Sequence, residues 1–332
     1  MVKPIDTGRT PRTGSALVRA TKPFSEEDVS RTWREFALTV ALLVGAQGIA
    51  VAAPWFLRPC GTVLAGLLIV RLFIIYHDAL HGAVFRKSRV GYWLMSAVGM
   101  FTLNPRSVWK ETHDYHHRNN CKLPGTAIGS YPVVTTRMWR RMSPADRRKY
   151  AFARHPFTIV FGYVFLFLLG MCGAAFVRSP REHWTCAVAP LAHFALAGAV
   201  GFVFGWPAAF TGVILPQAIA CMLGAYLFYA QHNYPGVEFA PRAAWNYHDA
   251  ALKSSSYFRM SPLMHFFTGN IGYHHVHHLN HKIPFYRLKE CMEAMPELQE
   301  PGETSWAPSD VAAALRLKLW DPTKKTMVPF PD

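Results

Sequence analysis

Apolar residues in this chain gather into long blocks, not into helical stripes or strand-like alternation. The first block covers 36–57 and ends at Arg58-Pro59; the second covers 60–76, with Arg71 inside it. Each approaches the ~20 residues a helix needs to cross a bilayer. The pair therefore predicts two antiparallel spanning helices joined by a tight turn, the second delivering His77 at its inner end. Three more blocks follow at 157–177, 187–206 and 208–229. A shorter one, 90–103, is too short to cross comfortably and reads as an interfacial or re-entrant segment.

Charge sets the expected topology. The stretch 105–156 is strongly basic, with Arg137, Arg140, Arg141, Arg147 and Arg148 at its centre, and basic loops stay cytosolic. The connector from Arg178 to His183 is also basic, whereas Gly205-Trp206-Pro207 carries no charge. Hence 157–177 is expected to dip in and return, and the next two blocks to cross. The predicted fold is all-α and integral to the membrane. It has four transmembrane helices, two re-entrant or interfacial segments, and a cytosolic helical cap. Residues 1–35 are polar and read as a mobile cytosolic arm in which Glu26 and Asp28 suit the first turn of a short interfacial helix. The membrane domain is expected over 36–295 and a cytosolic tail over 296–332. Both termini then lie in the cytosol, on the inner face of the cytoplasmic membrane in a bacterium. The opening stretch has no short apolar core, so no cleavable signal peptide is expected.

Composition narrows the function. Hydrophobic residues make up 51% of the 332 positions and charged residues 17%, the latter well below the ~25% of soluble domains. A net charge of +15 would suggest nucleic acid in a soluble protein. Here the cations flank apolar blocks, so anionic membrane lipids explain them and no nucleic-acid partner is expected. The six cysteines form no CxxC pair, which argues against a zinc ribbon or a redox disulfide.

The chemistry lies in the sixteen histidines, eight of which fall into three clusters. These are His77-Asp78-Ala79-Leu80-His81, then His113-Asp114-Tyr115-His116-His117, then His274-His275-Val276-His277-His278, with His275 as filler. Residues three or four apart share a helix face, so His77 and His81 can grip one metal from one side. In each HxxHH set the last two imidazoles point in different directions, so one set can serve two metals. Imidazole suits iron, copper, zinc and nickel alike. His232, after the last apolar block, is a candidate for a further ligand. Asp78 and Asp114 read equally as carboxylates that orient imidazoles and as solvated acids. His155, His183, His193, His248, His265 and His281 lack ligand spacing.

These boxes, set among apolar helix pairs, resemble the membrane fatty-acid desaturase superfamily. The run 269–280 (GNIGYHHVHHLN), followed by 283–288 (IPFYRL), resembles the third box of bacterial and plant acyl-lipid desaturases of the delta-12 type. The run 229–233 (YAQHN) is similar to the segment carrying their additional histidine. The resemblance spans 36–295. It implies a di-iron centre held by His77, His81, His113, His116, His117, His274, His277 and His278, with His232 as the extra ligand. It also implies O2 as co-substrate, a lipid acyl chain as substrate, and electrons from ferredoxin or cytochrome b5. No fused electron carrier is visible. The second box reads HDYHHRNN over 113–120 and does not assign a subtype.

A hydroxylase or carotenoid ketolase on the same scaffold is the nearest alternative. A divalent-metal transporter is the remoter one, since it would place ligands at the bilayer midplane within broken helices, not at helix ends. Trp109, Tyr131, Trp139, Tyr257 and Phe258 are candidates to line a substrate mouth, or plain interfacial packing. The basic loop reads as a docking surface for an acidic electron carrier or as a topology signal only.

Overall fold

A computed structural model describes residues 11–125 and 128–331. Among the described residues, four helices are long and apolar enough to cross a membrane. The first, α2 (Val29–Ala52), follows a short α1 (Gly14–Ala20). It begins seven residues earlier than the apolar block, because the Asp28 side chain accepts the Arg31 backbone N–H at 2.8 Å and caps the helix. Asp28 thus starts the spanning helix itself, not a separate interfacial one. Next comes α3 (Arg58–His81), the antiparallel partner of α2. Arg71, the charge inside this block, is buried and paired with Glu35 of α2 at 2.5 Å. A cation inside a membrane helix needs such a partner. Gly66 of α3 lets α12 (Leu215–Ala230) approach closely, since a Cβ there would lie 2.7 Å from Ile219.

A shorter helix, α4 (Arg89–Phe101), packs on α3, and α5 (Arg106–Asn119) follows it. The basic stretch then forms α6 (Thr136–Arg141) and α7 (Pro144–Ala153). The block 157–177 does not fold back as a hairpin. It is one nearly continuous helical run: α8 (Pro156–Val160), a π-helix over Tyr163–Ala174, and α9 (Ala175–Arg178). Gly170 and Gly173, the residues that would suit a reversal, are wound into the π-helix instead. One end of this run packs on α12. The other reaches α5, with Arg178 Nη2 3.8 Å from Glu111. The last two spans are α10 (Thr185–Phe204) and the helix from Trp206 to Ala230, composed of α11 (Trp206–Ala209), a π-turn and α12 (Leu215–Ala230).

Small helices follow the last span: α13 (Tyr247–Lys253), α14 (Pro262–Phe267), α15 (His274–Leu279), α16 (Leu288–Ala294) and α17 (Pro308–Arg316). Three two-residue or three-residue strand pairs tie them together. These are β1 (Lys122–Leu123) with β2 (Ala240–Pro241), β3 (Tyr257–Arg259) with β4 (Glu303–Ser305), and β5 (Leu319–Asp321) with β6 (Thr326–Val328). One expectation needs correction. The described part of the polar arm is docked and not mobile: Leu17 is fully buried among Ala251, Val276 and Leu288, and Arg12 pairs with Glu297. The residues 1–10 lie outside the described part. The tail after 295 is joined to the rest of the chain through the β3–β4 pair.

Candidate metal centre

The histidines come from the C-terminal ends of α3, α5 and α12 and from the short α15. His77 and His81 occupy the last turns of α3, which stops at Gly82, where φ is +65°. A left-handed residue there suits glycine, and it turns the chain away directly after His81. His113, His116 and His117 lie on α5, and His274, His277 and His278 on α15. His232 sits just past the end of α12.

These nine imidazoles form two groups: His77, His81, His113, His117 and His277, and then His116, His232, His274 and His278. Each HxxHH box is divided between them. Residues four apart point nearly the same way, whereas adjacent residues diverge by about 100°. Thus His113 and His117 serve the first group and His116 the second. His274 and His278 serve the second and His277 the first.

The contacts run through Nε2. In the first group they form a chain: His81 to His77 at 3.3 Å, His77 to His113 at 2.8 Å, His113 to His117 at 3.1 Å, and His117 to His277 at 3.1 Å. In the second they close a ring: His116 to His232 at 3.1 Å, His232 to His274 at 2.9 Å, His274 to His278 at 3.1 Å, and His278 to His116 at 3.3 Å. An imidazole nitrogen carries either one hydrogen or one lone pair, so each Nε2 serves a single hydrogen bond. Hydrogen bonding therefore accounts for at most two of the four contacts in each group. A cation accepting every lone pair satisfies all of them, so the donor set fits a metal.

Burial and orientation agree with that fit. All nine side chains are 5% exposed or less. Burial, followed by the neighbouring histidines, holds His113, His116, His117, His274, His277 and His278 well below the ordinary imidazole range. Burial lowers His232 to about 4, against a smaller opposing effect of the Ser254 carbonyl. Neutral imidazoles are the ligand form. The His77 Nδ1–H donates to Asp78 Oδ1 at 3.0 Å, and the His232 Nδ1–H donates to the Ser254 carbonyl at 2.8 Å. Each bond leaves an Nε2 lone pair facing inward. Asp78 is itself fixed, since Oδ2 accepts the Phe285 backbone N–H at 2.6 Å. Asp114 is placed differently: it takes up Lys110 Nζ at 2.6 Å on the outside of α5, not an imidazole.

The remaining histidines do not join the groups. His275 points its Nε2–H away, to the Leu298 carbonyl at 3.0 Å. His193 bonds the Tyr163 hydroxyl at 2.8 Å inside the bundle. His281, given no role by spacing, lies against the first group, its ring centroid 4.7 Å from that of His81 and 5.3 Å from that of His117. It stands four residues after His277, but α15 ends at Leu279, so helical spacing does not apply.

An apolar cavity of about 490 Å³ reaches the histidines at His113, which lines it. Helix α12 contributes Gln217, Ala220, Cys221, Gly224, Ala225 and Phe228, one face at three- and four-residue spacing. Gln217 to Phe228 spans ~16 Å of helix axis. Phe73, Trp109 and Phe228 close the histidine end. Trp109 stacks on His113 at 4.9 Å, Phe228 lies 5.1 Å from His116, and Phe73 lies 6.4 Å from His77 between centroids. Of the aromatic residues considered from sequence, Trp109 and Tyr131 line this cavity. Trp139 stacks on Phe330, Tyr257 on Tyr273, and Phe258 packs against Trp306.

Apolar spans around an apolar cavity beside buried histidines are the features of a membrane enzyme with a site for an apolar ligand. The chain belongs to the fatty acid desaturase family, whose profile matches residues 53–309; it is an oxidoreductase. It is 31% identical over 274 residues to a fatty acid desaturase of Bacillus subtilis (strain 168), a match covering 81% of this chain and 76% of that one. It is 22% identical over 294 residues to the sn-1 oleoyl-lipid 12-desaturase of Picosynechococcus sp., covering 80% and 77%. With the sn-1 acyl-lipid omega-3 desaturase (ferredoxin) of Synechocystis sp. it shares 24% identity over 284 residues, covering 81% and 76%.

Proposed function

We propose that this chain is an acyl-lipid desaturase in which the two histidine groups hold a di-iron centre facing the cytosol, with both termini on that side. The observation that carries this reading is the apolar cavity ending on Trp109, Phe73 and Phe228 against both histidine groups. Iron bound there supplies the chemistry that activates O2 and removes hydrogen from an unactivated methylene.

The chain's own residues do the rest. The small residues Ala220, Gly224 and Ala225 leave a groove along α12 for an extended acyl chain. Trp109, Phe73 and Phe228 press two neighbouring carbons toward the histidines and exclude water. Asp78 and the Ser254 carbonyl hold His77 and His232 in the tautomer that directs Nε2 inward. One turnover removes two hydrogens from the acyl chain. Two electrons from an external carrier and two protons complete the reduction of O2 to two waters. The carrier is a ferredoxin or a cytochrome b5, and the relative named for ferredoxin supports the first of these.

The test is expression in a host whose lipids lack double bonds, followed by mass spectrometry of the fatty acids. New species lighter by two hydrogens are expected. Species heavier by one oxygen would instead identify a hydroxylase, and an unchanged lipid profile would contradict the proposal.

A further inference from the structure

We propose that the surface around His281, formed by Arg86, Lys110 and Lys282, is where an acidic one-electron carrier protein of the ferredoxin class docks. The inference rests on the desaturase reading above and adds a location.

His281 is the first reason. It is partly exposed, and its ring touches those of His81 and His117, both in the five-histidine group. It therefore connects the buried cluster to the surface. The second reason is separation from substrate. The cavity aromatics Phe73, Trp109 and Phe228 contact His77, His113, His116 and His232. His281 contacts a disjoint pair. A carrier seated there would not compete with the acyl chain for approach to the centre.

Charge is the third reason. Lys282 Nζ donates to the His81 carbonyl, and Arg86 Nη2 donates to the Lys282 carbonyl at 3.0 Å. Both cations are thus anchored at the end of α3. Lys110 and Asp114 of α5 lie within electrostatic reach of His281 and Lys282. Three cations face two carboxylates, Asp114 and the Glu27 that accepts the Arg86 backbone N–H at 3.2 Å, and the net positive charge suits an acidic protein surface. The basic loop around Arg140 and Arg141 is a different surface: it packs beside β5, with Trp139 on Phe330. Among the described residues, no ring contact joins it to the histidines.

The experiment uses the full-length, iron-loaded chain in nanodiscs of zwitterionic lipid, with an acidic [2Fe–2S] ferredoxin as probe. Binding is followed against ionic strength, and ferredoxin oxidation by stopped flow. For Lys110→Glu/Lys282→Glu, Kd should rise about tenfold or more at low salt, with a shallower salt dependence. In Lys110→Ala, which leaves the Lys282 contact with the His81 carbonyl in place, iron content and a single turnover started by chemical reduction should stay unchanged. The exposed single change Lys110→Ala guards against misfolding and should move Kd in the same direction. His281→Leu should keep binding but slow ferredoxin oxidation at saturation. Unchanged Kd in both lysine variants, or loss of binding only in Arg140→Glu/Arg141→Glu, overturns the proposal. So does weakened binding to anionic vesicles with ferredoxin binding intact, which would make the patch a lipid contact. If ferredoxin binds and loses its electron while no double bond forms in the wild-type chain, the desaturase reading fails and the docking surface stands.

Discussion

The five-histidine and four-histidine groups share α5 and α15 but differ in what completes them. The first has an imidazole beyond four, a carboxylate behind His77, and His281 against its outer side. The second is completed by His232, which lies outside the three boxes and hangs from the end of α12 by its bond to the Ser254 carbonyl. Removing one member leaves four imidazoles in the first case and three in the second. The two groups should therefore tolerate the loss of a ligand unequally, although a reaction that needs both centres fails either way.

The largest expected effect follows from that asymmetry. His116→Ala and His232→Ala should abolish desaturation and weaken metal retention by more than about 100-fold, beyond the loss seen for outer partners of a ligand. His81→Ala should also abolish activity but retain more metal, because four imidazoles of its group remain. Iron analysis beside fatty-acid profiling checks both. Equal retention in His81→Ala and His232→Ala would remove the asymmetry.

A smaller effect is expected one step out. Asp78→Asn keeps the shape but weakens the acceptor for the His77 Nδ1–H, and should cost about 10–100-fold in metal affinity or activity. Asp114→Asn should leave both nearly unchanged, since its carboxylate faces Lys110. Comparable losses in the two variants would show that the Asp78 contact has no special role.

Gly224→Leu tests the cavity instead of the metal. Among the described residues, nothing lies within 4 Å of where a Gly224 Cβ would stand, and the residue lines the cavity one turn before Phe228. The new side chain should fill the groove, cutting activity on the native acyl chain or favouring shorter chains, with iron unchanged. Unaltered chain selectivity would place the substrate elsewhere. The smallest effect belongs to His193→Ala, which loses a buried hydrogen bond to Tyr163 worth about 1 kcal/mol. Its thermal midpoint should fall slightly while iron and activity persist.

Much of this site could be read from the sequence, because helical spacing fixes direction. His77 with His81, and His113 with His117, had to share a face, and His116 had to diverge from His117. The four spans were legible as blocks of apolar residues. His281 was not, because its contact arises where α15 has already ended and tertiary packing sets direction. The role of Asp114 was not separable from that of Asp78, since both directly follow a box histidine. Only the fold shows that Phe285 and His77 enclose one carboxylate while Lys110 takes the other. The continuous π-helix over Tyr163–Ala174 was hidden for a similar reason: hydropathy reports burial in lipid but not winding. The docked arm and the paired tail depend on long-range contacts, such as Leu17 on Val276 and β3 on β4, that no local pattern encodes.

The central claim is that each histidine group holds one iron. The most direct measurement is the metal content of the full-length chain after anaerobic loading with ferrous iron and removal of excess metal, by mass spectrometry of the elements. The account predicts two irons per chain, one for each group, with both kept in His193→Ala and one or both lost in His232→Ala. A wild-type chain that binds a single iron, or none, under those conditions would contradict it.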